Sequence, residues 1–99
     1  MAIEKLIALQ VNDNELYNLY RKNMYPILRK FNGDFGYDFK IAEVLKSEKD
    51  KPINRVFTIR FESETVMESF FSDEEYLKVK NEFFLKSVSS AIEIAKYDK

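Results

Sequence analysis

The side chains best able to do chemistry in this sequence are five charged or polar groups on segments that are typical of β-strands. They are Arg60, Asp38, Lys40, Glu93 and Gln10. A guanidinium such as that of Arg60 can hold a carboxylate or phosphate with two parallel hydrogen bonds. Asp38 or Glu93 could act as a general base if it were removed from water. These residues are therefore candidates for a ligand-binding site, but their balanced charges favour the other interpretation, that they form ion pairs that set the register of a dimer.

The absence of histidine and cysteine excludes much of the chemistry by which small enzymes are recognised. The usual ligands of zinc, copper and haem iron are missing, and no thiolate nucleophile can form. A general base would have to be a carboxylate, a lysine or a tyrosine with a shifted pKa. We predict no metal and no other cofactor, and the residue types assign no catalytic residue.

Length and charge indicate a small globular protein. The chain has 99 residues, 45% of them hydrophobic, which suffices for one core, so we expect a single domain over residues 1–99. The 16 basic and 17 acidic residues give a net charge of -1, whereas binding to nucleic acid or an anionic membrane needs a basic surplus. No apolar stretch approaches the ~18 residues of a membrane span. The first five residues do not resemble a signal peptide, and the chain lacks cysteine, so we expect a cytoplasmic protein.

Periodicity and capping signals divide the chain into four strands and two helical regions. Alternating apolar residues predict strands over 3–11, 35–41, 55–61 and 91–97. A first helix is predicted between the caps at 12–14 and the stop at Asn32-Gly33. Ser63 is expected to cap a short second helix, and residues 72–75 to open another that runs to about residue 86. This order predicts a ferredoxin-like βαββαβ fold of the α+β class, with both helical regions on one face of a four-stranded antiparallel sheet.

Strict alternation along the strands predicts which side chains face the helices and which lie on the opposite, open face of the sheet. The helix-facing set is large and apolar: Ile7, Leu9, Phe39, Ile41, Phe57, Ile59, Ile92 and Ile94. The open face would hold the five candidate residues together with Leu6, Ala8, Val56, Thr58 and Ala91. Because this face is half apolar and its charges are balanced, with Asp38 able to pair with Arg60, we expect a second copy of the chain to cover it.

Helical spacing also places polar side chains in the apolar stripes of the helices. Lys80 falls in the stripe of the second helical region, and we interpret it as an alkyl stem that covers apolar surface while its ammonium reaches water. Tyr17, Tyr20 and Tyr76 fall on or beside these stripes, and we interpret them as core residues with satisfied hydroxyls.

Three segments of the chain resemble, in the same order, small bacterial proteins of unknown function in the dimeric α+β-barrel superfamily. They are Tyr17-x-x-Tyr20 followed by Tyr25-Pro26-Ile27-Leu28 and Phe31-Asn32-Gly33; Ile59-Arg60-Phe61-Glu62-Ser63; and Phe71-Ser72-x-x-Glu75-Tyr76 with Lys80 a turn later. The resemblance implies a homodimer in which two ferredoxin-like sheets pack face to face and enclose a lumen. The chain differs from the family pattern at Asp34, Arg60 and Phe83, so the resemblance implies no particular ligand.

Three functions are compatible with this sequence. We predict an uncharacterised homodimer, either a cofactor-independent enzyme or a binder of a small polar or anionic molecule, with its site in the barrel or in the cleft between helices and sheet. The alternative is a non-catalytic homodimer that engages another protein. An RNA-recognition module has the same element order, but its third-strand aromatic residues stack on bases from the open face. Phe57 and Phe61 are predicted to face the helices here, which disfavours RNA binding.

Overall fold

The computed structural model describes residues 1–99 and contains one four-stranded antiparallel sheet. Its strands are β1 (Ile3–Val11), β2 (Asp34–Lys40), β3 (Arg55–Phe61) and β4 (Val88–Asp98), arranged in the order β2-β3-β1-β4. β1 pairs with both β3 and β4, so the first strand lies in the centre of the sheet. The element order and the strand order together confirm the predicted ferredoxin-like α+β fold.

Helix α1 (Asn14–Lys30) is held at both ends by contacts that its sequence predicts. The Asp13 side chain caps its beginning by accepting a hydrogen bond from the Leu16 amide at 3.0 Å. At its end, Asn32 adopts a left-handed conformation with φ of 59°, and the Gly33 amide donates back to the Leu28 carbonyl. A Cβ on Gly33 would lie 2.5 Å from Leu28 Cδ1, so this glycine permits close packing beneath the helix end.

The second helical region is divided into shorter segments. Helix α2 (Glu64–Phe71) is capped by Ser63, as predicted, and α3 (Glu74–Val79) is capped by Asp73. A π-helical segment (Lys80–Phe84) and a final short helix α4 (Leu85–Ser87) follow. The prediction of one helix from residues 72–75 to about residue 86 missed this π-helical segment. Such segments are rare in helices and frequently lie at functional sites. None of the helices combines the length and the apolar character needed to cross a membrane.

The hydrophobic core lies between the helices and one face of the sheet. Phe57, Ile59 and Phe61 of β3 are buried in it, which confirms their predicted orientation. Phe70 of α2 is fully buried, and its ring lies 4.4 Å from the Tyr76 ring between centroids. The molecule is only 18 Å deep along its shortest axis, which accommodates one sheet and one layer of helices. The opposite face of the sheet therefore carries no second layer of helices.

A bulge in β2 reverses the predicted orientation of its second half. Phe35 lies opposite Ile59, but Asp38 lies opposite Phe57, so β2 has one residue more than β3 in this stretch. One extra residue moves every following side chain to the other face. The prediction was therefore wrong for Asp38 and Lys40, which lie on the helix side, and for Phe39, which lies opposite Val56 on the open face.

A contact from β3 explains why the bulge forms there. The Thr58 hydroxyl accepts a hydrogen bond from the Tyr37 amide at 2.8 Å, which satisfies a backbone donor that the bulge removes from the ladder. A Cβ on Gly36 would lie 2.5 Å from Thr58 Oγ1, so only glycine allows this approach.

A second bulge reverses part of β4. Leu6 lies opposite Ala95 and Ile7 lies opposite Glu93, which leaves Ile94 as the additional residue. Glu93 and Ala91 consequently lie on the helix side, and Ile92 lies opposite Ala8 on the open face. The predicted orientations of these three residues were wrong for the same geometric reason as in β2.

Candidate functional site

A cavity of about 360 Å³ lies between the helices and the sheet, a volume within the range of small-molecule sites. Its walls come from all four strands, from α1, α2 and α3, and from the π-helical segment. Thirteen of the 17 lining residues are hydrophobic. The other four are charged: Lys5, Arg21, Lys80 and Glu93. The cavity therefore offers an apolar interior with a few charged groups at its wall.

Arg21 is the most firmly held of these charges. It follows Tyr17 by one helical turn, and its Nε donates a hydrogen bond to the Tyr17 hydroxyl at 2.8 Å. Its guanidinium lies 4.0 Å from the ring centroid of Phe35 and 4.8 Å from that of Phe57. Such cation–π contacts suit the flat guanidinium better than a lysine ammonium. Aromatic side chains from the helix and from two strands thus fix the plane of this group.

Asp38 is the anionic partner of the Arg21 guanidinium. Its Oδ2 accepts a hydrogen bond from Arg21 Nη1 at 3.2 Å. It also accepts two hydrogen bonds from Arg55, each 2.8 Å long. Burial of the Asp38 carboxyl acts to raise its pKa, but the hydrogen bonds and positive charges of the two arginines outweigh burial and lower it. Asp38 is therefore an anion at neutral pH that orients Arg21.

One nitrogen of Arg21 has no partner. Nη2 is buried and makes no hydrogen bond, while Nε and Nη1 are both used. The side chain as a whole is only 16% exposed. A buried donor without an acceptor is costly, and such groups in native proteins call for an explanation. Because Arg21 lines the cavity, an acceptor on a bound molecule would satisfy this nitrogen.

The other charged residues leave the cavity electropositive. Lys5 forms an ion pair with Glu93 at 2.9 Å, and its Nζ lies 5.3 Å from the Phe71 ring centroid. Lys80 forms no ion pair, although it lines the same cavity. Four cationic side chains in and behind the wall, which are Lys5, Arg21, Arg55 and Lys80, thus face two carboxylates, Asp38 and Glu93. This excess of positive charge favours an anionic ligand.

Two phenols lie at another part of the cavity wall. The hydroxyls of Tyr20 and Tyr76 are hydrogen-bonded to each other at 2.8 Å, and both residues are buried. Burial raises the pKa of Tyr76, and it raises that of Tyr20 well above the ordinary value. Both phenols are therefore neutral and keep their protons at physiological pH.

The five residues predicted for the site are dispersed by the two bulges. Glu93 lines the cavity, and Asp38 supports it from behind. Lys40 lines a smaller cavity of about 200 Å³ near the beginning of α1. Arg60 is exposed, lies opposite Glu4 and Asp34, and makes no ion pair with Asp38, so the predicted Asp38–Arg60 pair was wrong. Gln10, near the end of β1, contacts Asn12.

Arg21 and Lys5 were not predicted as site residues. Arg21 lies four positions after Tyr17, which places both side chains on one helix face, so the helical stripe held a usable signal. Lys5 lies between Ile3 and Ile7, whose side chains point to the helices, and the same alternation places Lys5 with them. The spacing thus placed both cations on core-facing positions. Cations are rarely buried in a core, so these positions were not interpreted as part of a site.

Comparison with known protein families decides the family. Residues 5–84 match the family described as Domain of unknown function (DUF1330). The chain belongs to the DUF1330 family. The matching region includes Lys5, Arg21, Lys80 and the three cavity tyrosines, and it ends before β4. No curated protein matches the sequence.

Solved structures share the fold of this DUF1330 protein at low sequence identity. A protein of unknown function from Rhodopseudomonas palustris is 15% identical, with a TM-score of 0.83 over 99% of this chain and 82% of that one. A dabb family protein with a ferredoxin-like fold from Mesorhizobium loti is 11% identical, with a TM-score of 0.65 over 99% and 96% of the two chains. A dimeric ferredoxin-like protein of unknown function from Bacteroides fragilis is 9% identical, with a TM-score of 0.65 and the same coverage.

Proposed function

We propose that this protein binds a small, mainly apolar molecule that carries one anionic group, in the cavity between the helices and the sheet. The observation that carries the proposal is the buried, unpartnered Nη2 of Arg21 at the wall of an apolar cavity. The excess of positive charge around the cavity supports an anion, and the 13 hydrophobic lining residues support an apolar body. The sequence predicted a small polar or anionic ligand, whereas the apolar body is inferred from the hydrophobic residues that line the cavity.

The proposed site would use the two halves of such a ligand differently. The anionic group would accept a charge-assisted hydrogen bond from Arg21, whose other contacts already hold it in place. A guanidinium fixed in advance loses little side-chain entropy on binding. The apolar part would remove aromatic surface from water, which contributes about 25 cal/mol per Å² buried. Charge would therefore orient the ligand, and apolar burial would supply much of the affinity.

The first prediction concerns Arg21 and uses phenylbutyrate as the probe, with the neutral phenylbutyramide for comparison. Calorimetric titration should show that the carboxylate binds more tightly than the amide. Arg21→Met should weaken phenylbutyrate binding by roughly 10- to 100-fold, because it removes a hydrogen bond to a charged group. The affinity for the amide should change little.

Arg29→Met provides the matched control. Arg29 lies on the same helix and pairs with Asp34 at 3.5 Å, outside the cavity. This variant should bind phenylbutyrate as the unmodified protein does. Equal affinity for carboxylate and amide, or binding that Arg21→Met leaves unchanged, would contradict the proposal.

We also propose that the protein forms a homodimer through the open face of the sheet. Tyr37 and Phe39 are 62% and 54% exposed, and their rings stack with centroids 5.9 Å apart. Phe39 lies opposite Val56, which places this pair of rings on the open face. Exposed aromatic pairs of this kind are enriched in interfaces. The ferredoxin-like protein from Bacteroides fragilis is described as dimeric, which supports dimerisation here.

The second prediction is that light scattering gives twice the mass of one chain at micromolar concentration. A stable interface of this kind should bury at least ~1,200 Å² in total. Phe39→Glu should raise the dissociation constant of the dimer by at least about tenfold, because it places a carboxylate among the apolar side chains of the proposed interface. Leu45→Glu is the control, because Leu45 is also an exposed apolar residue but lies in the loop between β2 and β3. This variant should leave the dissociation constant of the dimer unchanged. A monomeric native protein would refute the proposed dimer.

A further inference from the structure

The hydroxyls of Tyr20 and Tyr76 carry two protons, but only one of these protons is donated in a hydrogen bond within the protein. Each phenol carries one O–H donor, and a single hydrogen bond of 2.8 Å joins the two oxygens. Whichever hydroxyl donates in that bond, the other keeps a proton for which the chain supplies no acceptor within hydrogen-bond distance. Because both phenols are neutral, this donor persists at physiological pH.

The unused donor lies at the wall of the cavity. Tyr20 of α1 and Tyr76 of α3 both line it, and their hydroxyls meet 2.8 Å apart. The ring of Tyr20 lies 5.7 Å from that of Tyr17, whose hydroxyl contacts Arg21, so the phenol pair and the guanidinium serve one continuous space. The cavity therefore presents a charged donor and a neutral donor to the same occupant.

We infer that the ligand of this cavity is an apolar oxo acid, whose acid group binds Arg21 and whose keto oxygen accepts the free proton of the Tyr20–Tyr76 pair. This inference rests on the proposed function and specifies the ligand class. A keto oxygen accepts hydrogen bonds and donates none. The unpartnered donors at the wall are Arg21 Nη2, the Lys80 ammonium and one phenol proton, and an oxo acid offers acceptors to them without adding a donor of its own.

The third prediction tests the keto oxygen with ligands of one carbon skeleton. Phenylbutyrate has no keto group, benzoylpropionate has one beside the ring, and benzylpyruvate has one beside the carboxylate. Calorimetric titration should show that one of the two keto acids binds roughly three- to tenfold more tightly than phenylbutyrate, the gain from one neutral hydrogen bond. The keto acid that gains affinity also reports where the phenol pair lies relative to Arg21.

Variants of the two tyrosines separate the free proton from general packing. Tyr20→Phe and Tyr76→Phe each leave one phenol whose O–H has no acceptor in the protein. Each single variant should therefore keep the preference for the keto acid. The double variant removes both hydroxyls, and its ratio of keto-acid to phenylbutyrate affinity should fall to about one. Removing both partners of a buried hydrogen bond costs little stability, and thermal unfolding will verify that this variant is folded. Tyr25→Phe is the control, because that exposed phenol bonds Asp34 outside the cavity.

The outcomes distinguish this inference from the proposed function. If phenylbutyrate binds through Arg21 but neither keto acid gains affinity, the inference is wrong and the proposed function stands. The inference is equally wrong, and the proposed function again stands, if the double variant keeps the keto preference. If none of the three acids binds the unmodified protein, both are wrong.

Discussion

Replacing Asp38 with alanine should lower the free energy of unfolding by about 2–3 kcal/mol, because it strips two half-buried arginines of their counter-charge. The side chains of Arg21 and Arg55 are only 16% and 13% exposed, and Asp38 is the ion-pair partner of both. Removing one member of such a network leaves uncompensated charge in a region of restricted solvation. The same variant should weaken phenylbutyrate binding, since Arg21 loses the contact that orients it. Urea unfolding at pH 7 and calorimetric titration measure the two effects.

Acid should abolish the contribution of Asp38 to the free energy of unfolding. The pKa of Asp38 is lower in the folded protein than in the unfolded chain, so its stabilisation is present above the unfolded pKa and is lost as the pH falls through the folded value. The difference in unfolding free energy between the native protein and Asp38→Ala should therefore shrink between about pH 5 and pH 2. A difference that stays constant over this range would contradict the assigned ion pairs.

Asp34→Ala is the matched control for Asp38→Ala. Asp34 also lies on β2 and pairs with an arginine, but its partner Arg29 is half exposed and lies 3.5 Å away, and the other groups that bond Asp34, the Tyr25 hydroxyl and the Phe35 amide, carry no charge. Exposed pairs of this kind contribute about 0–1 kcal/mol. Comparable losses in the two variants would mean that the Asp38 network has no special role.

Replacing Phe70 with alanine should cost about 3–5 kcal/mol of unfolding free energy. The Phe70 side chain is fully buried, and its ring contacts four other aromatic rings at centroid distances from 4.4 to 5.8 Å. Truncation loses apolar burial and leaves a void that neighbouring rings cannot fill. Urea unfolding measures the loss, and Leu19→Ala, at an exposed position of α1, should stay within about 1 kcal/mol of the native protein. A loss below about 1 kcal/mol for Phe70→Ala would contradict its central place in the core.

The Phe70 variant should also weaken ligand binding. Its ring supports Tyr76 and Phe71, which line the cavity, so loosening this cluster disturbs the cavity wall. The weakening should be smaller for phenylbutyrate than that caused by Arg21→Met, because the guanidinium remains in place. A larger loss in Phe70→Ala than in Arg21→Met would contradict the role given to Arg21.

The elements of this fold could be predicted from the sequence because their signals are local. β1 spans residues 3–11 as its alternation predicts, and the Asp13 and Ser63 side chains cap helices where their positions indicate. Asn32 takes the left-handed conformation at the end of α1, and the helix ends at the predicted stop, Asn32-Gly33. Hydrogen bonds between residues a few positions apart produce these features, so the neighbouring residues suffice to determine them.

The composition of the site depended on contacts between distant residues. Gly36 in β2 hinted at a bulge, but the bulge exists because the Thr58 hydroxyl, 21 residues after Tyr37, satisfies the free amide. That single extra residue carries Asp38 away from Arg60 and brings it to Arg21 and Arg55. Side chains in a strand alternate with a period of two, so a shift of one residue reverses every face that follows. The sequence by itself therefore determined the elements and their order, and only the tertiary structure decided which charges share a site.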